Sequence, residues 1–166
     1  IGLAATQLNI LINSVYATHS GAGAVSWLNY AFRLMQFPIG IFGVSLAAAT
    51  LPVVSRKLAA KDSQGAADEL QRSLNLTFAV NAPAAVGLMA LSLPIVQLLF
   101  QHGAFGFLDS RSTAIAVVFY AVGLPGYSAV KVLVPVFYAL ETTRIPVVLS
   151  FISVAVNAGL NHIFLN

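Results

Sequence analysis

Between Val25 and Pro52 the chain reads VSWLNYAFRLMQFPIGIFGVSLAAATLP, an apolar run with a single charge, Arg33. A helix over this run is about 40 Å long at 1.5 Å per residue. That exceeds the roughly 30 Å hydrocarbon core of a bilayer, so the helix must tilt, kink or protrude. Pro38 is the expected kink, because proline lacks the N–H that the preceding turn would bind.

A guanidinium in such a run constrains everything around it, since a charge in hydrocarbon must face water, a partner or the headgroups. Projected at a period near 3.5, the run puts Asn29, Arg33, Gln36, Gly40, Gly43 and Ala47 on one stripe. Two readings fit this face. Small residues admit a neighbouring helix while Arg33 snorkels to the headgroups, or the stripe lines a hydrated cavity in which Arg33 binds an anion through its planar fork. The unbroken run from a guanidinium through an amide to glycines favours the cavity. Asn29, Arg33 and Gln36 are therefore the candidate binding residues on this helix.

Charged residues make up only 8% of the 166 residues and apolar ones 58%. A soluble domain carries about 25% charged residues, so the composition is that of an integral membrane protein. The rest of the chain repeats the pattern. Apolar spans are expected over residues 1–17, 25–52, 74–100, 113–140 and 146–166, giving an all-α, polytopic fold of about five transmembrane helices. Pro83 and Pro94 are expected kinks in the third span. Residues 53–73, with Leu58, Leu70 and Leu74 among Arg56, Lys57, Lys61 and Arg72, read as a segment lying at the membrane surface and broken near Asp62 to Gly65.

Polar stripes recur at Thr6, Asn9, Asn13 and Tyr16 and at Ser150, Ser153, Asn157 and Asn161, with a weak one at Thr77, Asn81, Leu88 and Ser92. They can converge on one hydrated cavity or serve as glue between helices, and for any single Ser or Asn the glue reading is the better one. In the fourth span Lys131 shares a face with Tyr120, Gly123, Tyr127 and Tyr138. It either snorkels or adds a second cation to the cavity, and it joins the candidate binding residues on that basis.

The loop holding Arg56, Lys57 and Lys61 belongs on the cytoplasmic side by its basic residues, and the loops then alternate outside, inside, outside, inside. Four of the eight Lys and Arg lie in residues 53–73, beside apolar spans, so the net charge of +3 points to a membrane surface rather than to nucleic acid. With no cysteine, disulfides and thiolate sites are excluded. The five carboxylates sit in or beside loops, the three histidines are scattered, and His19 and His102 read as loop residues. No metallohydrolase, phosphate-loop or nucleophile-elbow motif is present, so neither an enzyme nor a metal or cofactor site is expected. The chain opens on Ile1 and stops within an apolar run at Asn166, and so reads as an internal portion of a longer protein.

The stretch NYAFRLMQFPIGIFGVSLAAATLPVVSRKLA resembles the signature of the MurJ/MviN lipid II flippases, within the multidrug/oligosaccharidyl-lipid/polysaccharide exporter superfamily. LLFQHGAF and FYALETTRIPVVLSFISVAVNAGLN resemble the same family in the same order. The resemblance implies part of a transporter's C-terminal lobe, about five of some fourteen helices. It further implies a protein of the bacterial inner membrane that flips lipid II, a pyrophosphate-linked peptidoglycan precursor, by alternating access. The family's cavity arginine matches Arg33. Phe32 stands where many members carry an acid and Gln36 where some do, which leaves Arg33 without a carboxylate on its own helix. A drug/cation antiporter of the same superfamily and a membrane scaffold without transport are the alternatives.

Overall fold

The computed structural model describes residues 23–142 and 144–165, so the span over residues 1–17 and its Thr6 to Tyr16 stripe lie outside the described residues. The order is α1 (Ala24–Pro38), a π-helical segment (Ile39–Val44), α2 (Ser45–Ala59), α3 (Ser63–Ala90), α4 (Ser92–Phe100), α5 (Phe107–Ala139) and α6 (Arg144–Leu165). No strand occurs among the described residues. The continuous helix Ala24–Ala59, together with α3 and α5, is long and apolar enough to cross a membrane, and Arg144–Gly159 is a shorter apolar helix.

The packing is inverted relative to a water-soluble core. Phe37, Leu98, Leu108 and Phe119 are each more than two-thirds exposed, whereas Thr50, Ser73, Thr77, Asn81, Ser92, Ser110, Thr113 and Ser128 are buried. In hydrocarbon the driving force between helices is close packing and polar pairing rather than apolar burial, which selects small and hydroxylated residues for contact faces. A ladder of such pairs joins α2, α3 and α5. The Thr50 and Ser73 hydroxyls lie 2.8 Å apart, Thr77 donates to the Ser73 carbonyl at 2.7 Å, Asn81 Nδ2 to the Thr77 carbonyl at 2.9 Å, and Ser128 Oγ to Asn81 Oδ1 at 3.0 Å. The α3 stripe is thus glue at Asn81, while Thr77 bonds within its own helix.

Pro38 does not simply kink its helix; a π segment follows it. The buried positions explain why. Ala31, Met35, Ile39 and Gly43 succeed one another every four residues, and each such step overshoots an α-helical turn by about 40°. The wider i→i+5 turns absorb that overshoot, so Thr50 and Val54 of α2 remain on the buried side.

Residues 53–73 form the facing ends of α2 and α3 around a turn at 60–62. Asp62 caps α3 by accepting from the Gly65 N–H at 2.8 Å. Lys57 donates to the Gly65 carbonyl at 3.0 Å and pairs with Glu69 at 3.7 Å. Val54, Leu58, Ala66, Leu70 and Val136 close over the apolar side, so Leu58 and Leu70 pack within the hairpin.

The third span is interrupted at Leu91, with Pro83 inside α3 and Pro94 in the first turn of α4, where a missing N–H leaves no helical bond unmade. Among the described residues the fifth span packs lightly, on α5. At the opposite end from the hairpin, Trp27 Nε1 donates to Asp109 Oδ1 at 2.9 Å, while Asp109 Oδ2 accepts from the Gly106 N–H at 2.9 Å and caps α5. Trp27 pairs with α5 near its start, Gly43 lies against Ser128 and Val54 meets Val136, so the α1–α2 helix and α5 run parallel.

Candidate functional site

The first turns of α1 carry Ser26, Asn29, Tyr30 and Arg33, spaced so that Ser26 and Tyr30, and Asn29 and Arg33, are four apart and stack along one face. Together they line an open polar hollow of about 180 Å³. Arg33 lies about nine residues, or roughly 14 Å, below the start of the helix. Its side chain is exposed, and among the described residues it has no carboxylate partner, the ion pair there being Lys57 with Glu69.

Each neighbour is held from a different direction. Asn29 Nδ2 donates one of its two N–H groups to the Val25 carbonyl at 2.8 Å, which fixes the amide and leaves the other N–H and Oδ1 facing the rim. The Tyr30 ring packs on Phe100 at 4.6 Å and edge-on against Phe105 at 5.5 Å between centroids. Phe100 ends α4 and Phe105 follows the turn in which Gly103 takes φ 62, a left-handed conformation that suits glycine. His102 sits exposed in this turn. Phe32, on a neighbouring face, points to α5, with its ring 6.1 Å from that of Tyr120.

Of the residues singled out from sequence, Asn29 and Arg33 come together. Gln36 is half-buried one turn on and does not line the hollow. Lys131 is exposed on α5 with its ammonium 5.2 Å from the centre of the Tyr127 ring, a cation–π contact. Since Gly43 is level with Ser128, Lys131 lies about 20 Å further toward the hairpin than Arg33 at 1.5 Å per residue, so the two cations do not share a site. The glycine stripe also divides. A Cβ at Gly40 would meet nothing within 4 Å, whereas one at Gly43 would meet Ser128 Oγ at 3.4 Å.

Ser26 and Tyr30 were missed because the 3.5-residue projection follows Asn29 and Arg33 and leaves their neighbours one position aside; the i to i+4 pairing of Ser26 with Tyr30 is the signal that finds them. A larger apolar hollow of about 370 Å³, lined by Trp27, Leu28, Ile115 and Phe119 among others, opens on a different face of α1 between it and α5. Nothing charged lines it, so it does not suit a headgroup. The polar hollow does: a fork of N–H donors carrying a permanent charge, with a hydroxyl, a phenol and an amide oxygen around it, can replace the hydration of an oxyanion and of the hydroxyls attached to it.

Comparison with known proteins places this arrangement in context. The family described as Lipid II flippase MurJ matches residues 1–166. A probable lipid II flippase MurJ of Vibrio cholerae serotype O1 is 34% identical over 163 residues, covering 98% of this chain and 31% of the relative. One from Rhizobium meliloti is 40% identical over 158 residues, 93% of this chain and 29% of the relative. A lipid II flippase MurJ of Burkholderia cenocepacia is 36% identical over 158 residues, 95% and 31%. A solved lipid II flippase MurJ in an inward closed conformation superposes with a TM-score of 0.84 at 28% identity over 98% of this chain and 34% of that one. The chain therefore spans about a third of the length of the relatives it matches.

Proposed function

Because the chain belongs to the MurJ lipid II flippase family, we propose that it forms part of a transporter that flips lipid II across the bacterial inner membrane by alternating access, with Arg33 as the contact for the pyrophosphate. The observation that carries this reading is the hollow itself: a guanidinium with no carboxylate partner among the described residues, exposed about 14 Å into a largely apolar helix, with Ser26, Asn29 and Tyr30 lining the hollow beside it. A pyrophosphate that leaves water loses a large hydration energy, and charge-assisted hydrogen bonds from a planar fork offset part of it. The apolar tail of the same substrate can stay in lipid throughout. The five carboxylates support this over cation-coupled export, since Asp62, Asp68 and Glu69 lie at the hairpin end, Asp109 begins α5 and Glu141 follows it.

The test is substitution in the full-length protein. Arg33→Ala should abolish flipping with normal abundance, because removing a charge from a span does not penalise insertion. Arg33→Lys should be partly active at most, since an ammonium keeps the charge but not the fork and holds its water more tightly. Wild-type flipping and growth in Arg33→Ala would make Arg33 a snorkelling anchor and remove the cavity reading of α1.

A further inference from the structure

The outer turns of α1 are held at two points, and one carboxylate serves both. Trp27, Tyr30 and Arg33 follow one another at three-residue steps, so each lies about 60° round the helix and roughly 4.5 Å along it from the last. Trp27 faces the start of α5, where its Nε1 donates to Asp109 Oδ1 at 2.9 Å. Tyr30 packs on Phe100 and Phe105, and it also lines the polar hollow with Arg33. The other oxygen of Asp109 accepts from the N–H of Gly106, the residue after Phe105, at 2.9 Å. Asp109 therefore holds α1 directly, and through Gly106 it holds the turn against which Tyr30 rests. Apolar packing alone does not fix Trp27, whose ring borders the open hollow of about 370 Å³ between α1 and α5; the bond to a carboxylate gives the indole its direction.

Resting on the assignment of Arg33 to the pyrophosphate, we propose that Asp109 is a positioning residue for that site, setting the height and rotation of the α1 turns that present the guanidinium. Arg33 is exposed and has no carboxylate partner among the described residues, so nothing there grips the end of its side chain, and its placement is inherited from the backbone. A planar fork binds phosphate oxygens bidentately only when the two are aligned, and a displacement of about 1 Å is enough to loosen such a site. The oxygens of Asp109 are directed at Trp27 and Gly106, so this acid supports the guanidinium without neutralising it. The arrangement also gives a role to the LLFQHGAF stretch, which carries both phenylalanines behind Tyr30.

The test is the affinity of the purified full-length protein for lipid II. Trp27→Phe keeps an aromatic ring and removes the donor, whereas Asp109→Ala removes the acceptor. Each should weaken binding about tenfold, the loss of one charge-assisted hydrogen bond from the fork, and the double variant should match Asp109→Ala, because the two changes break the same bond. Repeating Trp27→Phe in an Arg33→Lys background separates placement from stability. Lysine carries a point charge on a flexible stem and tolerates a shifted backbone, so there the change should alter affinity less than about twofold, while lowering the apparent Tm as much as it does beside Arg33. Equal weakening in the two backgrounds, or none in either, overturns the inference. Arg33→Ala is measured alongside and should weaken binding further than Trp27→Phe. If Arg33→Ala binds as the wild type, Arg33 is not the contact and the positioning role falls with it; if Arg33→Ala weakens binding while Trp27→Phe does not, the positioning role of Asp109 alone fails.

Discussion

Gly40 and Gly43 look alike in the sequence, one turn apart on the same stripe, yet the structure gives them opposite neighbourhoods, and substituting each in turn tests the packing of α1 against α5. Gly40 is exposed and a Cβ there meets nothing within 4 Å. Gly43 is buried, and a Cβ there would lie 3.4 Å from Ser128 Oγ, 3.5 Å from Ser128 Cβ and 3.6 Å from Ile39 Cγ2. These are ordinary van der Waals separations, so alanine fits at both positions and each Gly→Ala change should stabilise by up to about 1 kcal/mol, the helix-propensity difference. Leucine divides them. At Gly40 its branches extend into open space and the change should be neutral or mildly stabilising. At Gly43 the branches beyond Cβ enter α5, and overpacking of this kind costs about 1–3 kcal/mol. The strain falls on the Ser128–Asn81 bond at 3.0 Å, the link between α5 and α3. The apparent Tm of the detergent-solubilised full-length protein reads the difference: Gly43→Leu should melt below the wild type and Gly40→Leu should not. Equal melting of the two leucine variants would refute the contact between Gly43 and Ser128 and return Gly43 to a cavity wall.

Topology is read by single-cysteine labelling, which this segment allows because it has no cysteine of its own. An impermeant reagent applied to intact cells should label Ala104→Cys in the exposed turn after α4 and spare Ser63→Cys at the hairpin; the reverse pattern would invert the assignment. Ser110 is fully buried and is not a usable reporter. Lys131 touches Tyr127 and lies far from Arg33, so Lys131→Met should retain flipping close to wild type, and loss of flipping at normal abundance would give this lysine a role in transport.

The helical, membrane-spanning character of the chain was legible because it depends on composition over long windows, and one arginine in lipid-compatible sequence is conspicuous on its own. Asn29 and Arg33 were legible together because four residues is one turn of any α-helix. Legibility stopped where a residue's role is decided by something distant. Asn81 and Thr77 have the same spacing as a cavity stripe, and what makes Asn81 glue is Ser128, 47 residues away on another helix. Lys131 shared a face with three tyrosines, but its distance from Arg33 is set by the register of α5 against α1, which no local pattern encodes.

The π segment is the most instructive case. A projection at fixed period assumes that one angle per residue holds from Asn29 to Ala47, and Ile39–Val44 breaks that assumption in the middle of the stripe. The buried four-residue spacing of Ala31, Met35, Ile39 and Gly43 was present in the sequence all along, but three are ordinary small or apolar residues in an apolar run and carried no contrast with their neighbours. In a soluble helix the polar face would have drawn the boundary. In lipid both faces are apolar, so the phase of the buried face is set by which residues are small enough for α5 to approach, and Gly43 beside Ser128 marks that place. The same selection for small contact residues leaves the polar hollow to the outer turns of α1, where Arg33 turns away from α5 and Phe32, the residue before it, takes the contact with Tyr120.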